Sequence, residues 1–322
     1  MAKYVIKRIL LIIPILLTVA ILVFTLMEFV PGDPVSIQLG GANATAEQIE
    51  ELRESMGLNR PYIVRLAEYL KNIIFHFDFG NSYVYGRPVV DELMQRFPNT
   101  LIIAIGCVLG SVIIGIPIGI KCAVKANGLF DRASMFITLV FTSMPNFWLA
   151  LLLVLLFSVT LGWLPSSGDR AWYYYILPIV SNLFGGIATV ARQTRSAMLE
   201  VIRSDYIVTA KSKGISEKAV IYKHALPNAL IPIITICGSM FALMMGGTVI
   251  TEAVFTIPGL GSYLISGINS RDYPVVQGCV IYIAATFSIV MLLLDIIYAF
   301  VDPRIKAIYG GKSKSGKGKS EK

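Results

Sequence analysis

The stretch DYIVTAKSKGISEKAVIYKHALPNAL, residues 205–230, contains two short helical patterns joined by a glycine, and it lies between two long apolar runs. Ser204 or Asp205 can cap the first helix, which we expect to run to Lys213 and to stop at Gly214. Lysines in the last turn of that helix suit the negative end of its dipole. A polar helical insert between apolar runs is typical of a chain that crosses a membrane and exposes one loop to water.

The second helical pattern of this stretch begins after Ser216 and is expected to end before Pro227. Its apolar side chains recur at helical spacing and predict one apolar face, which consists of Ile215, Ala219, Tyr222 and Leu226. Such a helix can lie in the headgroup layer of a membrane or place its apolar face in a groove of another protein. The glycine hinge, and the Leu-Pro that starts the next apolar run, favour docking to a partner.

The rest of the chain has the composition of a membrane protein. Of its 322 residues, 55% are hydrophobic and only 15% are charged, whereas a soluble domain carries about 25% charged residues. The mean hydropathy is +0.70. Apolar runs long enough for a membrane-crossing helix, which needs about 20 residues, occur at 9–30, 100–120, 134–161, 173–191, 228–251 and 275–301. The sequence therefore predicts an all-α integral membrane protein with six transmembrane helices.

The distribution of Lys and Arg predicts the side of the membrane that each loop occupies. With a cytoplasmic N-terminus, the cytoplasmic segments hold 20 of the 28 Lys and Arg residues, so both termini are expected in the cytoplasm. Arg192 and Arg195 are interpreted as anchors at the inner end of the fourth span. The net charge of +8 is a topology signal rather than a sign of nucleic-acid binding. The first apolar run could be a signal peptide, but it is too long and lacks a cleavage site.

The apolar runs divide the chain into four regions. These are the N-terminus and first span (1–30), a long extracytoplasmic loop (31–99), a five-helix core (100–306) that includes the loop at 205–227, and a basic tail (307–322). The tail is expected to be disordered and to lie near anionic headgroups.

Two helices are expected in the long extracytoplasmic loop. Thr45 and Gln48 predict a capping box at the start of the first, which ends at Gly57. Pro61 suits the first turn of the second, which runs to about Ile74. Its apolar stripe consists of Ile63, Leu66, Leu70 and Ile73 or Ile74. The loop is interpreted as lying on the membrane, with a lid or docking platform as the alternative.

Small residues and prolines in the spans predict close packing and kinks. Two pairs of glycines with small-xxx-small spacing allow another helix to approach the second span closely; they are Gly106 with Gly110 and Gly115 with Gly119. Prolines within spans remove backbone donors and predict kinks at Pro117, Pro145 and Pro178.

Polar side chains within the spans are candidates for lining a pathway or for bonding another helix, because a buried charge is costly in a bilayer. These residues are Glu28, Asn146, Asn182, Glu252 and Asp295. Glu28 and Glu252 are near the outer ends of their spans and are expected in the interface. Asp295 is deeper and is expected to bond a neighbouring helix.

The spacing from Gly214 to Leu226 and Pro227 resembles the cytoplasmic "EAA" loop in permeases of bacterial ATP-binding cassette importers. At the Glu-Ala-Ala positions this chain has VTA (208–210), and TAKSKG followed by HALPNALIP is similar to the variant in peptide and nickel permeases. Further segments that resemble this group are FVPGDP (29–34), MGLNRPY (56–62), FDFGNSYVYGRPV (77–89), SMPNFWLALLLVLLF (143–157), EAVFTIPGLG (252–261) and YAFVDPRIK (298–306).

The resemblance covers about residues 9–306 and implies a B-type permease of the dipeptide and oligopeptide importers, because a long loop follows the first span. The implied partners are a homologous C-type permease, two cytoplasmic ATP-binding subunits and an extracytoplasmic substrate-binding protein. In this family the loop fits a cleft on the ATPase. The residues implied to form this coupling site are Asp205, Tyr206, Thr209, Ala210, Lys213, Gly214, Ile215, Ala219, Tyr222, His224, Leu226, Pro227 and Asn228.

Importers of this kind use ATP, yet this chain has no credible phosphate-binding loop. Gly311, Gly316 and Lys317 have GxxxxGK spacing, but Gly318 follows instead of Ser or Thr, and no strand precedes them. ATP and Mg²⁺ are therefore expected on the partner subunits, with no cofactor and no metal on this chain. The two histidines and four cysteines show no metal-binding spacing.

The resemblance implies alternating-access import of short peptides across the bacterial cytoplasmic membrane. Nickel or a nickel chelate is the alternative cargo within the family. Two other classes stay open: an ATP-independent channel or secondary transporter, and an intramembrane enzyme. The sequence leaves open which peptides are carried, which residues line the pathway, and whether the two ATPases are the same protein.

Overall fold

The computed structural model describes residues 2–30, 35, 39 and 45–301, and these are built from helices. The α-helices are α1 (Ala2–Phe29), α2 (Ala46–Ser55), α3 (Tyr62–His76), α4 (Val89–Val124), α5 (Leu129–Ser143), α6 (Asn146–Leu153), α7 (Ile176–Ile202), α8 (Asp205–Ser212), α9 (Glu217–Ala219), α10 (Leu226–Gly247), α11 (Val249–Val254), α12 (Leu260–Ser270) and α13 (Tyr273–Val301). Two π-helical turns, Val154–Thr160 and Val220–Ala225, follow α6 and α9, and a 3-10 turn, Trp172–Tyr175, precedes α7. The all-α prediction is confirmed for these ranges; the tail at 307–322 lies outside them.

Five helices among the described residues are long and apolar enough to cross a membrane. They are α1, α4, α7 with its preceding 3-10 turn, α13, and the continuous helix Glu217–Gly246, which contains α9 and most of α10. A sixth candidate is the pair α5 and α6, whose axes meet at 95°. Five of the predicted spans thus correspond to continuous helices, and the predicted span at 134–161 corresponds to the bent pair.

The break between α5 and α6 lies at Pro145, as the proline predicted. Met144 has an extended backbone, with φ −79° and ψ 130°, because the ring of a following proline disfavours helical geometry. The other two prolines do not interrupt their helices. α4 continues through Pro117, and Pro178 lies in the first turn of α7, where no intrahelical N–H bond is lost.

α4 begins at Val89, inside the region predicted as the outer loop (31–99) and before the apolar run at 100–120. Asp91 and Glu92 lie in its first turn, where negative charge is favourable. Arg96 donates from Nε to Glu92 Oε2 at 3.0 Å, one helical turn away. These charges stabilise the start of the helix but lower the local hydropathy, so the apolar run begins later than the helix does.

The two outer-loop helices are present at the predicted positions. Thr45 Oγ1 accepts from the Gln48 N–H, and the Gln48 side chain accepts from the Thr45 N–H, which confirms the capping box. On α3, Leu70 and Ile73 pack inward as expected. Ile63 and Ile74 are exposed, and Tyr69 packs inward beside Leu70, so the predicted stripe is only partly correct.

Buried side chains gather at the two ends of α4. We call the end with residues 45–88 the outer end; its cluster joins α1, α4, α12 and α13 and includes Met27, Leu93 and Tyr263. At the other, inner end an inner cluster joins α4, α7, α8 and α10. Its buried members are Ile120, Ala123, Ala197, Met198, Ile207, Ala210, Val220, Ala225, Ala229 and Ile233.

Close packing of α4 on α7 confirms the two predicted glycine pairs. Going along α4, Gly106 faces Ile179, Gly110 faces Leu183, Gly115 faces Val190 and Gly119 faces Thr194. A Cβ on Gly119 would lie 2.6 Å from the Ala191 carbonyl oxygen, which is backbone and cannot rotate away. The glycines therefore set the distance between the two helices.

We expect Gly119→Ala to destabilise the folded chain by about 1–3 kcal/mol, because the added methyl group forces the two backbones apart. Gly185→Ala is the matched control, since nothing lies within 4 Å of a Cβ at that position of α7. The control should be neutral or slightly stabilising, because alanine favours a helix over glycine by about 1 kcal/mol. Thermal unfolding of both variants in detergent measures the difference, and equal midpoints would contradict the packing argument.

Candidate functional site

The loop at 205–227, which we call the coupling loop, begins with α8. Ser204 is at the N-cap, but its Oγ donates to the Val201 carbonyl oxygen at 2.6 Å rather than capping α8. α8 ends at Ser212, and Gly214 has φ +74°. Glycine adopts this left-handed conformation without the steric cost of a Cβ, so the predicted stop at Gly214 is confirmed.

The second helix of the loop was expected to end before Pro227, and this prediction is wrong. The helix that starts at Glu217 passes through the π-helical turn Val220–Ala225 and continues directly into α10. Pro227 has no N–H to donate to the carbonyl group four residues earlier. The π-helical turn Val220–Ala225 lies where this backbone hydrogen bond is missing. The Asn228 side chain donates to the His224 carbonyl oxygen at 2.8 Å. The coupling loop is therefore joined rigidly to a transmembrane helix.

The apolar face predicted for a partner mostly packs on the chain itself. Ile215 and Leu226 pack against the inner cluster, and Ala219 is half-buried. Only Tyr222 of that face is exposed. Helical spacing identifies an apolar face without indicating what covers it, and here α4, α7 and α10 cover part of it.

A different set of apolar side chains points away from the bundle. Tyr206 is 46% exposed, Val208 56% and Tyr222 51%. Among the other predicted site residues, Ala210 is buried and His224 half-buried; the exposed ones are Asp205, Thr209, Lys213, Gly214, Pro227 and Asn228. The exposed side of the loop thus combines three apolar side chains with lysines and polar groups, while its buried side fixes it to three spans.

Glu252, which the sequence places near the outer end of its span, is fully buried within the protein. Its Oε1 accepts from the Thr100 and Thr248 hydroxyls at 2.7 Å each, and its Oε2 accepts from the Ser262 N–H at 2.8 Å. A Cβ on Gly259 would lie 2.3 Å from the Glu252 carboxyl carbon, so this glycine lets the backbone pass close by. The carboxyl group thereby joins α4, α11 and the start of α12.

The other four polar candidates have different environments. Arg65 on α3 donates to both carboxylate oxygens of Glu28 at 3.0 Å. Arg8 on α1 lies 3.1 Å from the Asp295 carboxylate, which confirms that Asp295 contacts a neighbouring helix. The Asn182 side chain donates to Thr251 Oγ1 at 3.0 Å, between α7 and α11. Asn146 is exposed at the break before α6. Among the described residues, Glu28 and Asp295 line two different cavities, so the five candidates do not form one site.

Two buried carboxylates escaped the sequence analysis. Asp131 is 2% exposed and accepts two hydrogen bonds from Arg195, one of them at 2.7 Å from Nη2, so Arg195 is an internal ion-pair partner rather than a free anchor. Asp272 is 1% exposed and accepts from the N–H groups of Tyr83 and Val84 at 3.1 and 3.2 Å. The sequence signal that could have located them is a carboxylate at a helix start, because Asp131 lies in the first turn of α5 and Asp272 directly precedes α13.

The fold and these contacts define a class of protein: a multi-pass α-helical membrane protein with one rigidly mounted loop at its inner end. Residues 1–104 match the family "Binding-prot-dependent transport system membrane comp, N-term". Residues 115–307 match the family "Binding-protein-dependent transport system inner membrane component". The chain belongs to this family of transport permeases.

Similar proteins match along almost the whole chain. A putative peptide transport system permease protein of Brucella abortus (strain 2308) is 41% identical over 314 residues, which are 95% of this chain and 99% of the relative. The dipeptide transport system permease protein of Alkalihalophilus pseudofirmus is 39% identical, with 95% of this chain and all of the relative covered. The glutathione transport system permease protein of Salmonella choleraesuis is 41% identical, with 95% and 99% covered.

The fold is similar to a solved structure of the MetNI methionine ABC transporter. The TM-score is 0.57 at 21% sequence identity, and the match covers 66% of this chain and 96% of the other. At this identity the likeness concerns the fold alone, and it supports the arrangement of helices described above.

Proposed function

We propose that the chain is the permease subunit of an ATP-driven importer of short peptides, and that its coupling loop docks to a separate ATPase. The main support for docking is that the coupling loop has one buried side and one exposed apolar side. Its buried side packs into the inner cluster through Ile207 and Val220, while Tyr206, Val208 and Tyr222 remain exposed. Exposed apolar groups on a rigid base are typical of a surface that binds a partner.

The proposed mechanism is alternating access driven through this loop. When two ATPases close on ATP, they would push the coupling loop, and close-packed side chains of the inner cluster would pass the displacement to α4, α7 and α10. The direct continuation of α9 into α10 makes that span a lever without a flexible joint. ATP binding thus shifts the population between inward-open and outward-open arrangements.

The proposed assembly contains a homologous C-type permease, two ATP-binding subunits and an extracytoplasmic substrate-binding protein. Both termini and the coupling loop would face the cytoplasm, as the distribution of Lys and Arg predicts. Lys211, Lys213 and Lys218 are exposed on the same loop. The cleft on the ATPase is therefore expected to combine an apolar floor with an acidic rim.

Short peptides are the proposed cargo. Relatives that cover nearly the whole chain carry the names of peptide, dipeptide and glutathione permeases, and glutathione is itself a tripeptide. Nickel or a nickel chelate remains the alternative cargo. Uptake of the two cargoes can be compared directly, because each can carry its own radiolabel.

The test is purification of the tagged chain from membranes under gentle extraction, followed by uptake in reconstituted vesicles. We expect two ATP-binding subunits and a second permease to co-purify. Uptake of labelled dialanine should require ATP and the substrate-binding protein, whereas labelled Ni²⁺ should not accumulate. Recovery without any ATP-binding subunit, or uptake that is independent of ATP, would contradict the proposal and favour a channel or secondary transporter.

A further inference from the structure

A second site is suggested by a cavity at the outer end of the bundle, far from the coupling loop. It has a volume of about 220 Å³ and lies between α1, α3, the segment at 78–83 and the start of α13. A water molecule occupies about 30 Å³ in the liquid, so the cavity has room for a ligand of several heavy atoms. It opens on the side of the protein from which a peptide or a delivery protein would arrive.

The strongest indication of a ligand is Gln277, which lines the cavity. Its side chain is 8% exposed, and within the described residues it forms no hydrogen bond. Buried polar side chains are normally satisfied by hydrogen bonds. A polar side chain without one in the wall of a small cavity therefore points to a polar ligand.

The charged side chains around the cavity indicate the charge that a ligand would carry. Both oxygens of Glu28 are occupied by Arg65, and Glu68 is paired with Arg60. Asp78 accepts the Gly80 N–H on Oδ1 at 2.8 Å but has no ion-pair partner among the described residues. The lining thus has a surplus of negative charge and of acceptors, because its one arginine is already used.

The aromatic side chains around the cavity also favour a positively charged ligand. Burial raises the pKa of the Tyr69 phenol, and burial with the nearby Asp272 raises the pKa of Tyr83 to about 12. Both phenols therefore stay neutral at physiological pH. Their rings, with that of Phe79, provide π-faces that attract cations.

We infer that this cavity binds a primary ammonium group. An ammonium has three N–H donors and no acceptor, which suits the Asp78 carboxylate and the Gln277 amide oxygen in the cavity wall. The group could belong to the amino terminus of a short peptide or to a lysine side chain of a protein that docks at the outer end. The inference rests on the proposed function for the source of this group, but labelling of the cavity by a small ammonium probe requires neither ATP nor transport.

The test uses the assembled transporter in nanodiscs and a small photoreactive diazirine that carries a primary ammonium. We expect the probe to label residues 56–83 or 273–277, and its neutral N-acetyl analogue to label them at least about tenfold less, as for one charge-assisted hydrogen bond. Asp78→Asn keeps an acceptor for the Gly80 N–H but removes the charge, so it should lower labelling about tenfold. Asp78→Glu should retain labelling.

Glu47→Gln is the matched control, because Glu47 is an exposed carboxylate on α2 outside the cavity. It should label like the unaltered chain. Protection by glycylglycine would identify the amino terminus of a peptide as the source, and protection by the substrate-binding protein alone would identify a lysine side chain. Equal labelling by the neutral analogue, or undiminished labelling of a folded Asp78→Asn variant, would overturn the inference.

Discussion

Replacing both Tyr206 and Val208 by aspartate is expected to lower ATP-driven peptide uptake by at least about 100-fold, because an unpaired charge buried in an interface costs roughly 3–5 kcal/mol. Both side chains are about half exposed and lie on the free side of α8. The substitution leaves Ile207 and Ala210, the buried anchors of the same helix, unchanged. The measurement is co-purification of the ATP-binding subunits together with uptake in vesicles.

The control for this variant is the pair Tyr206→Phe and Val208→Ile, which keeps the apolar surface and should retain most uptake. Unfolding is separated from undocking by size-exclusion chromatography, where the aspartate variant should elute as the folded chain does. Normal recovery of ATPase and normal uptake by the aspartate variant would show that docking occurs elsewhere on the inner end.

Glu252→Ala is expected to have the largest effect on folding. It leaves the hydroxyls of Thr100 and Thr248 and the N–H of Ser262 without their acceptor in a buried site. Each orphaned group costs about 1–3 kcal/mol, although Thr100 can still donate elsewhere after local rearrangement, so a loss on the order of 3–6 kcal/mol follows. That is a large part of the stability of an ordinary domain. The folded yield in membranes and the unfolding midpoint both measure it.

Two variants make the comparison specific for Glu252. Glu252→Gln keeps one carbonyl oxygen as acceptor and should lose less stability than the alanine variant. Glu28→Ala removes a carboxylate that is 38% exposed and paired with Arg65, so its loss should stay near 0–1 kcal/mol. Equal midpoints for Glu252→Ala and Glu28→Ala would mean that the buried hydrogen bonds do not hold α12 in place.

Hydropathy located the membrane helices but not their true ends. The apolar runs correspond to helices because a backbone in lipid must bond internally. Charged first turns hid the start of α4 at Val89, and a proline suggested an interruption at Pro227 where the helix in fact continues. Local signals with a direct steric cause, such as Gly214 and Pro145, were read correctly because they depend on the backbone alone.

The contacts that individual side chains make were harder to predict than the helices themselves. The sequence identified Asp295 as a residue that bonds a neighbouring helix, but it could not show that Glu252 is buried or that Arg195 is held by Asp131. It also assigned the apolar face of the coupling loop to a partner when most of that face packs on the inner cluster. Long-range contacts of this kind depend on how the helices are arranged in space, and the periodicity of a single helix does not indicate that arrangement.

The wide turn at Val220–Ala225 also affects how the chain tolerates changes in length. A π-helical turn contains an additional residue compared with an α-helical turn, and each residue rotates a helix by about 100°. Removal of one residue here would restore a regular helix while leaving the orientation of its two halves nearly unchanged. An insertion or deletion elsewhere in Glu217–Gly246 would instead turn the exposed Tyr222 away from its present direction relative to α10. Length variation among relatives is therefore expected to concentrate at this turn.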